Sequence, residues 1–193
     1  MQFDGDSFEN RIFEDVQDIP PRLMEKEFSG CTFKRCDFSG CEFTGSTFIH
    51  CVFAGCNLSN VLVARCGFQN ASFEECKILG VSFTGVRSWL LSWKFKGCTL
   101  ELCVFEKLDM KRTQFVDCFL RETEFENVDM SESVFTGSDL SGSRFQQAVL
   151  KKADFIGAKN YYIDPTQNSL TQASFSFPDV LSLLSGFDIK VQY

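Results

Sequence analysis

Apolar and polar positions along this chain recur with a period of five. An apolar centre returns at Phe33, Phe38, Phe43, Phe48, Phe53, Leu58, Val63, Phe68, Phe73, Ile78 and Phe83, and a second block carries the period in a new phase from Phe95 to Phe155. Two residues before each centre the side chain is small, with Trp93 and Leu108 as the clear outliers. All ten cysteines, from Cys31 to Cys118, occupy that one position. Such confinement assigns them to packing, as small core fillers with free thiols.

Five fits neither the 3.6 of a helix nor the 2.0 of a strand. A chain that turns two side chains of every five inward and then bends builds a four-sided prism, with one pentapeptide on each side. Coils stacked at strand spacing, about 4.8 Å, predict about six coils and a rod about 29 Å long. Each repeat buries its inner face only against its neighbours, as in any solenoid. In the second block the centres alternate Phe with Leu or Met, so Phe95, Phe115, Phe135 and Phe155 form one column and Phe105, Phe125 and Phe145 the opposite one. Leu100, Leu120 and Leu140 form a third column, and Met110, Met130 and Leu150 a fourth.

The period divides the chain. Phe3, Phe8, Phe13, Leu23 and Phe28 keep phase, but Met1, Asp6, Arg11, Pro21 and Lys26 precede them and do not suit a small slot. Residues 1–25 are therefore expected to be an N-terminal cap with a turn at Pro20-Pro21, and residues 26–160 the repeat domain. An interruption near 84–94 carries both tryptophans. It is either a two-residue insertion with Trp packed on a flank, or a protruding contact loop in which Arg87, Ser88 and Trp89 meet a partner. Residues 161–193 leave the repeat. Pro178-Asp179 starts a short helix whose apolar stripe is Val180, Leu181, Leu184 and Phe187, followed by an alternating strand at Ile189, Val191 and Tyr193. So apolar a helix either caps the last coil or joins two monomers, and it can do both.

Composition narrows the function. With 19 basic and 26 acidic residues the net charge is −7, which disfavours direct binding of nucleic acid. The sequence offers no membrane segment. The single histidine, His50, sits at an outward position, the cysteines form no C-x2-C pair, and no phosphate-binding glycine motif occurs. No catalytic residue, metal or cofactor is expected, and the protein is expected not to be an enzyme. A core of reduced thiols places it in the cytoplasm. Residues 101–132 hold nine acids against four bases, a net of −5. One coil apart, Glu101 lies over Arg121 and Arg112 over Glu132, while Glu106 over Glu126 and Asp109 over Asp129 set like charges about 5 Å apart.

The repeat resembles the pentapeptide repeat family, whose motif is a small residue, any residue, then Leu or Phe, then two more. The resemblance covers about residues 26 to 160 and implies a right-handed quadrilateral β-helix, an all-β fold, here with a short C-terminal helix. Tyr162-Ile163-Asp164-Pro165-Thr166-Gln167-Asn168, with the short Leu-rich helix and the Gly-Phe-Asp-Ile ending, resembles the C-termini of Qnr-like quinolone-resistance and microcin-immunity proteins. That resemblance implies a homodimer through the C-terminus and a DNA-mimicking rod that binds DNA gyrase or topoisomerase IV and modulates quinolone or toxin action. The partner-binding residues would then be Glu106, Asp109, Asp117, Glu124, Glu126 and Asp129 with the loop residues Arg87, Ser88 and Trp89, the loop being much shorter than in those relatives. The alternative is a scaffolding repeat protein with another protein partner.

Overall fold

A computed structural model describes residues 3–87, 92–187 and 189. The chain winds into a β-solenoid of about eight turns, nearly all β, with 3% of residues helical. Its strands are two or three residues long and pair in parallel with the strand one coil away, as Phe28 does with Phe48 and Phe95 with Phe115. Four columns of centres define four faces. Face 1 carries Phe8, Phe28, Phe48, Phe68 and then Met110, Met130 and Leu150. Face 2 carries Phe13, Phe33, Phe53, Phe73, Phe95, Phe115, Phe135 and Phe155. Face 3 carries Phe38, Leu58, Ile78, Leu100, Leu120 and Leu140, and face 4 carries Leu23, Phe43, Val63, Phe83, Phe105, Phe125 and Phe145. All of these side chains are buried.

Within a column the rings stack face to face, as Phe28 on Phe48 at 5.0 Å and 3°. Between neighbouring faces they meet edge to face, as Phe28 and Phe33 at 5.4 Å and 73°. Both arrangements suit the ring quadrupole. Every fifth residue turns the corner with a positive φ, which glycine accepts freely and which Arg35, Lys107 and Asp117 also adopt here.

The coils run further than the expected six. Ser7–Glu9 and Ile12–Glu14 already pair in register with Glu27–Ser29 and Thr32–Lys34. The polar residues before the first centres are accommodated at the surface: Asp6 and Arg11 are exposed, Arg11 with its guanidinium 5.2 Å from the centre of the Phe8 ring, and Lys26, one coil above Asp6, sends its Nζ to Gly5 O at 2.7 Å. Beyond residue 160, Tyr161 and Ile163 are buried, and Ser169 and Phe175 pair with Val149 and Phe155 of the coil below. The C-terminal helix is a single 3-10 segment, Asp179–Leu184, with Pro178 as its N-cap and Asp179 in its first turn. Apart from Ile189, the expected strand at 189–193 lies outside the described residues.

Two features of the core differ from the expectation. Trp93 does not lie on a flank: it is buried, packs against Phe68, Phe83, Phe95 and Phe105, and donates its indole N–H to Phe68 O at 2.9 Å. The cysteines are also more than fillers. Cys31 Sγ donates to Phe8 O, Cys51 to Phe28 O, Cys56 to Phe33 O and Cys76 to Phe53 O, at 3.3 to 3.4 Å. Serine does the same, Ser143 to Leu120 O at 2.6 Å and Ser138 to Phe115 O at 3.1 Å. In these coils the small slot ties the carbonyl of a centre to the coil above it, whereas Val61, Ala71, Val81, Val128, Ala148 and Ala153 offer no side-chain donor there and Thr113 Oγ1 has no partner.

All ten cysteines are free and buried. Burial pushes Cys51 and Cys66 up to about 12, and Cys41 and Cys103 up to about 11. A thiol raised in the folded state adds stability below the unfolded thiol range and loses it as pH rises through the folded value. The denaturant midpoint is therefore expected to hold up to about pH 8 and to fall steadily above about pH 9, with a shallower fall in Cys51→Ser. Thiol reagent at neutral pH should modify the protein only after denaturant is added; a reactive native protein would contradict the packed column.

Candidate partner-binding surface

The fold consumes two side chains of every five and leaves three outward, so the candidate residues are placed by their position in the repeat. Glu124 precedes the centre Phe125 on face 4, and Glu106 and Glu126 follow the centres Phe105 and Phe125 on the same face. Glu106 and Glu126 face each other across the ladder. Asp109 and Asp129 precede Met110 and Met130 on face 1, also as ladder neighbours. Faces 4 and 1 share the corner at Lys107 and Asn127, so these five acids form one surface that wraps a single edge of the rod.

Asp117 stands apart. It lies at the corner between faces 2 and 3, where its carboxylate lies over Gly137 in space that any side chain there would need. Arg87 lies on face 1 and pairs with Gly67 one coil below, on the same face as Asp109 and Asp129. Ser88 and Trp89 lie outside the described residues.

Counter-charges lie within the acidic surface. The expected repulsion between Asp109 and Asp129 is relieved by Lys111, whose Nζ lies 3.0 Å from Asp109 Oδ2 and 3.3 Å from Asp129 Oδ2. Burial raises the Asp129 pKa, but hydrogen bonds from the Ser131 hydroxyl and N–H, with Lys111, outweigh it and hold the carboxyl below its ordinary value. Lys107 pairs with Glu106, and Arg112 lies 3.8 Å from Glu132, as its place in the column predicts. Glu101 and Arg121 are ladder neighbours, as are Glu124 and Arg144. Glu124, Glu126 and Arg144 line a shallow groove on face 4. Lys111 is the residue that sequence reasoning left out: its position after Met110 puts it between two acids, which the column arithmetic contains.

At the C-terminal end the 3-10 segment has no fully buried residue: Val180, Leu181 and Leu184 are half-buried. Phe187 is 43% exposed and nearby Phe177 is 72% exposed. The residues expected to hold a dimer are thus on the surface and apolar. Among the described residues no group of His, Cys, Asp or Glu could hold a metal ion, and no helix is long and apolar enough to cross a membrane.

A family model described as the pentapeptide repeat region matches residues 26–105 and 86–155. No curated protein sequence matches the chain. Among solved structures, a trypsin-treated variant of QnrB1, a plasmid-mediated fluoroquinolone resistance protein, aligns over 100% of this chain and 94% of its own, with TM-score 0.57 and 21% identity. HetL, a pentapeptide repeat protein involved in heterocyst differentiation regulation from the cyanobacterium Nostoc sp., aligns over 86% of this chain and 84% of its own, with TM-score 0.33 and 15% identity. The QnrB1 likeness is one of fold.

Replacing Lys111 tests the charge geometry. Lys111→Gln is expected to lower the thermal midpoint at low ionic strength and to lose that difference in about 0.5 M salt. A carboxyl held low in the folded state stabilises above the ordinary carboxylate range and loses that contribution as pH falls through it. The wild-type midpoint should therefore drop as pH falls from about 5 to 3, and less so in Lys111→Gln; identical salt and acid profiles would mean Lys111 relieves nothing.

Proposed function

The chain belongs to the pentapeptide repeat family, and from that premise we propose that it is a binding protein whose acidic edge imitates duplex DNA toward DNA gyrase or topoisomerase IV. The observation that carries this reading is the pair of acidic ladders, Glu106 with Glu126 and Asp109 with Asp129, on two adjoining faces. Residues 101–132 carry a net charge of −5. At about 4.8 Å per coil that is about 1.5 Å of rod per net charge, against about 1.7 Å of helix axis per phosphate in duplex DNA. The fold likeness to a fluoroquinolone resistance protein makes modulation of a quinolone or toxin acting on the same enzyme the accompanying proposal. The partner is a protein and no direct nucleic acid is involved.

The test is binding of the purified protein to gyrase and to topoisomerase IV, with supercoiling measured with and without a fluoroquinolone. The double variant Asp109→Lys/Glu126→Lys should bind on the order of tenfold more weakly while its melting is little changed, because both side chains lie at the solvent-facing side of the wall. Wild-type affinity should fall with added salt. Absence of binding and of any effect on supercoiling at tens of micromolar would overturn the mimic and leave the scaffolding role with another protein partner.

We further propose that the C-terminal segment joins two copies through Val180, Leu181, Leu184 and Phe187. The half-buried helix and exposed Phe177 and Phe187 leave apolar surface at the end of the rod that a second copy would cover. Leu184→Asp should give a monomer by light scattering at micromolar concentration while the β-rich circular dichroism persists. A wild-type monomer at the same concentration would refute the dimer.

A further inference from the structure

Charge is unevenly spread over the first hundred residues. Residues 1–30 hold eight acids and three bases, residues 31–60 two of each, and residues 61–100 two acids and five bases. The coils thus run from −5 through neutral to +3, a net of only −2. At the edge where faces 4 and 1 meet, the same order is concentrated in two adjoining columns. The corner reads Glu25, Gly45 and Arg65, and the position before the centres of face 1 reads Glu27, Thr47, Gly67 and Arg87, each residue one coil above the last.

Glu25, Glu27, Arg65 and Arg87 line one groove of about 330 Å³, with Gly45 and Thr47 at its middle. Two glycines shape it. A Cβ at Gly45 would lie 3.2 Å from Glu25 Cγ, and one at Gly67 would lie 4.0 Å from Arg87 Cδ, so the acid's stem rises over one glycine and the arginine's stem descends over the other. Gly67 is buried although its position faces outward. The groove's remaining charge, Lys26, is turned away to Gly5 O and Asp6. Glu25, Glu27, Arg65 and Arg87 are all exposed, and among the described residues none of the four has an ion-pair partner within the chain. Glu106, Asp109 and Asp129, further along the same edge, are by contrast met by Lys107 and Lys111.

An edge with acids at one end, bases at the other and a neutral middle complements itself when a second copy is turned end for end. We propose that this groove is a contact between two copies of the chain lying antiparallel, related by a two-fold axis that crosses the groove beside Gly45 and Thr47. The axis lies in the plane of contact, so each column meets itself reversed. Glu25 of one copy faces Arg65 of the other and Glu27 faces Arg87, and each pair occurs twice. The midpoints of the two columns differ by half a coil, about 2.4 Å, within the reach of these long side chains. Gly45 and Gly67 let the edges approach, and on face 4 the same operation sets exposed Met24 against exposed Ala64. The coils of residues 101–132 project past the end of the neighbouring rod, so the inference does not depend on which partner they meet. Together with the C-terminal contact proposed above, two unlike two-fold contacts on one rod would generate open chains instead of closed pairs.

Exposed ion pairs are individually weak and screened by salt, so the contact forms only at high protein concentration and low ionic strength. Sedimentation equilibrium tests it on the wild type and on Leu184→Asp, which lacks the C-terminal contact. In about 50 mM salt the average mass at about 0.2 mM protein should exceed that at about 5 μM by at least about a third, and in Leu184→Asp the rise should vanish in about 0.5 M salt. In the Leu184→Asp background, Arg65→Glu/Arg87→Glu and Glu25→Arg/Glu27→Arg should each abolish the rise, because each gives the groove a single sign. An equimolar mixture of the two should recover it, acidic groove against basic groove. Association that persists in either variant overturns the contact, as does a mixture that fails to recover it while both variants melt like their parent. A wild-type mass that does not change with concentration in low salt also overturns it, and that readout needs no substitution to fold.

Discussion

The contact on which the rest of the structure depends is the hydrogen bond from the small slot to the carbonyl of a centre one coil below, Cys51 to Phe28 or Ser143 to Leu120. Centre carbonyls are met either by the backbone N–H three residues on, as Phe38 O by Cys41 and Met130 O by Ser133, or by a donor from the slot above. Short side chains leave room for the stacked rings, and among these Cys, Ser and Thr also bring a donor. Ser143 Oγ also accepts from Thr123 N–H at 3.2 Å, and Ser138 Oγ from Cys118 N–H at 3.0 Å, so one hydroxyl makes two bonds to the coil below it. Asn168 meets the same two needs with its amide, accepting from Ala148 N–H and donating to Phe145 O. Size admits valine and alanine to the slot, and a well-aimed donor admits the larger asparagine.

This constraint explains what was legible in the sequence. The period of five, the columns and the outward placement of Glu106, Asp109, Glu126 and Asp129 follow from side-chain size and hydropathy, which the sequence displays directly. The ends were harder to place, because a long polar side chain near the end of the rod can reach out of the slot. Arg11 and Lys26 looked incompatible with a coil, yet a lysine stem can lie in the slot and send its ammonium out to Gly5 O. Trp93 broke the pattern and invited a surface placement. Its indole N–H makes it a donor to Phe68 O, so it obeys the same chemistry as cysteine at a larger size.

The outward positions are nearly free of folding duties, and this lets one rod carry a charge pattern of its own. The ladder that aligns the cores also aligns the surface, so an acid repeated at the same place in successive coils becomes a stripe with about 4.8 Å spacing. Repulsion along such a stripe has to be moderated within it. Lys111 between Asp109 and Asp129, and Lys107 beside Glu106, do this without cancelling the net charge of the block.

Charge density then decides how much of the rod can act as an imitation of DNA. Over the whole length, −7 on about eight turns amounts to one net charge per roughly 5.5 Å, more than three times sparser than the duplex. Two stretches reach the duplex value, residues 1–30 and residues 101–132, each with a net charge of −5, and the segment between them, residues 31 to 100, has more bases than acids. A straight uniform cylinder presented end to end would therefore be a poor electrostatic substitute for DNA. A partner surface shaped for phosphate would be engaged by the acidic coils alone, and the less charged coils would have to be held clear of it or turned to another contact.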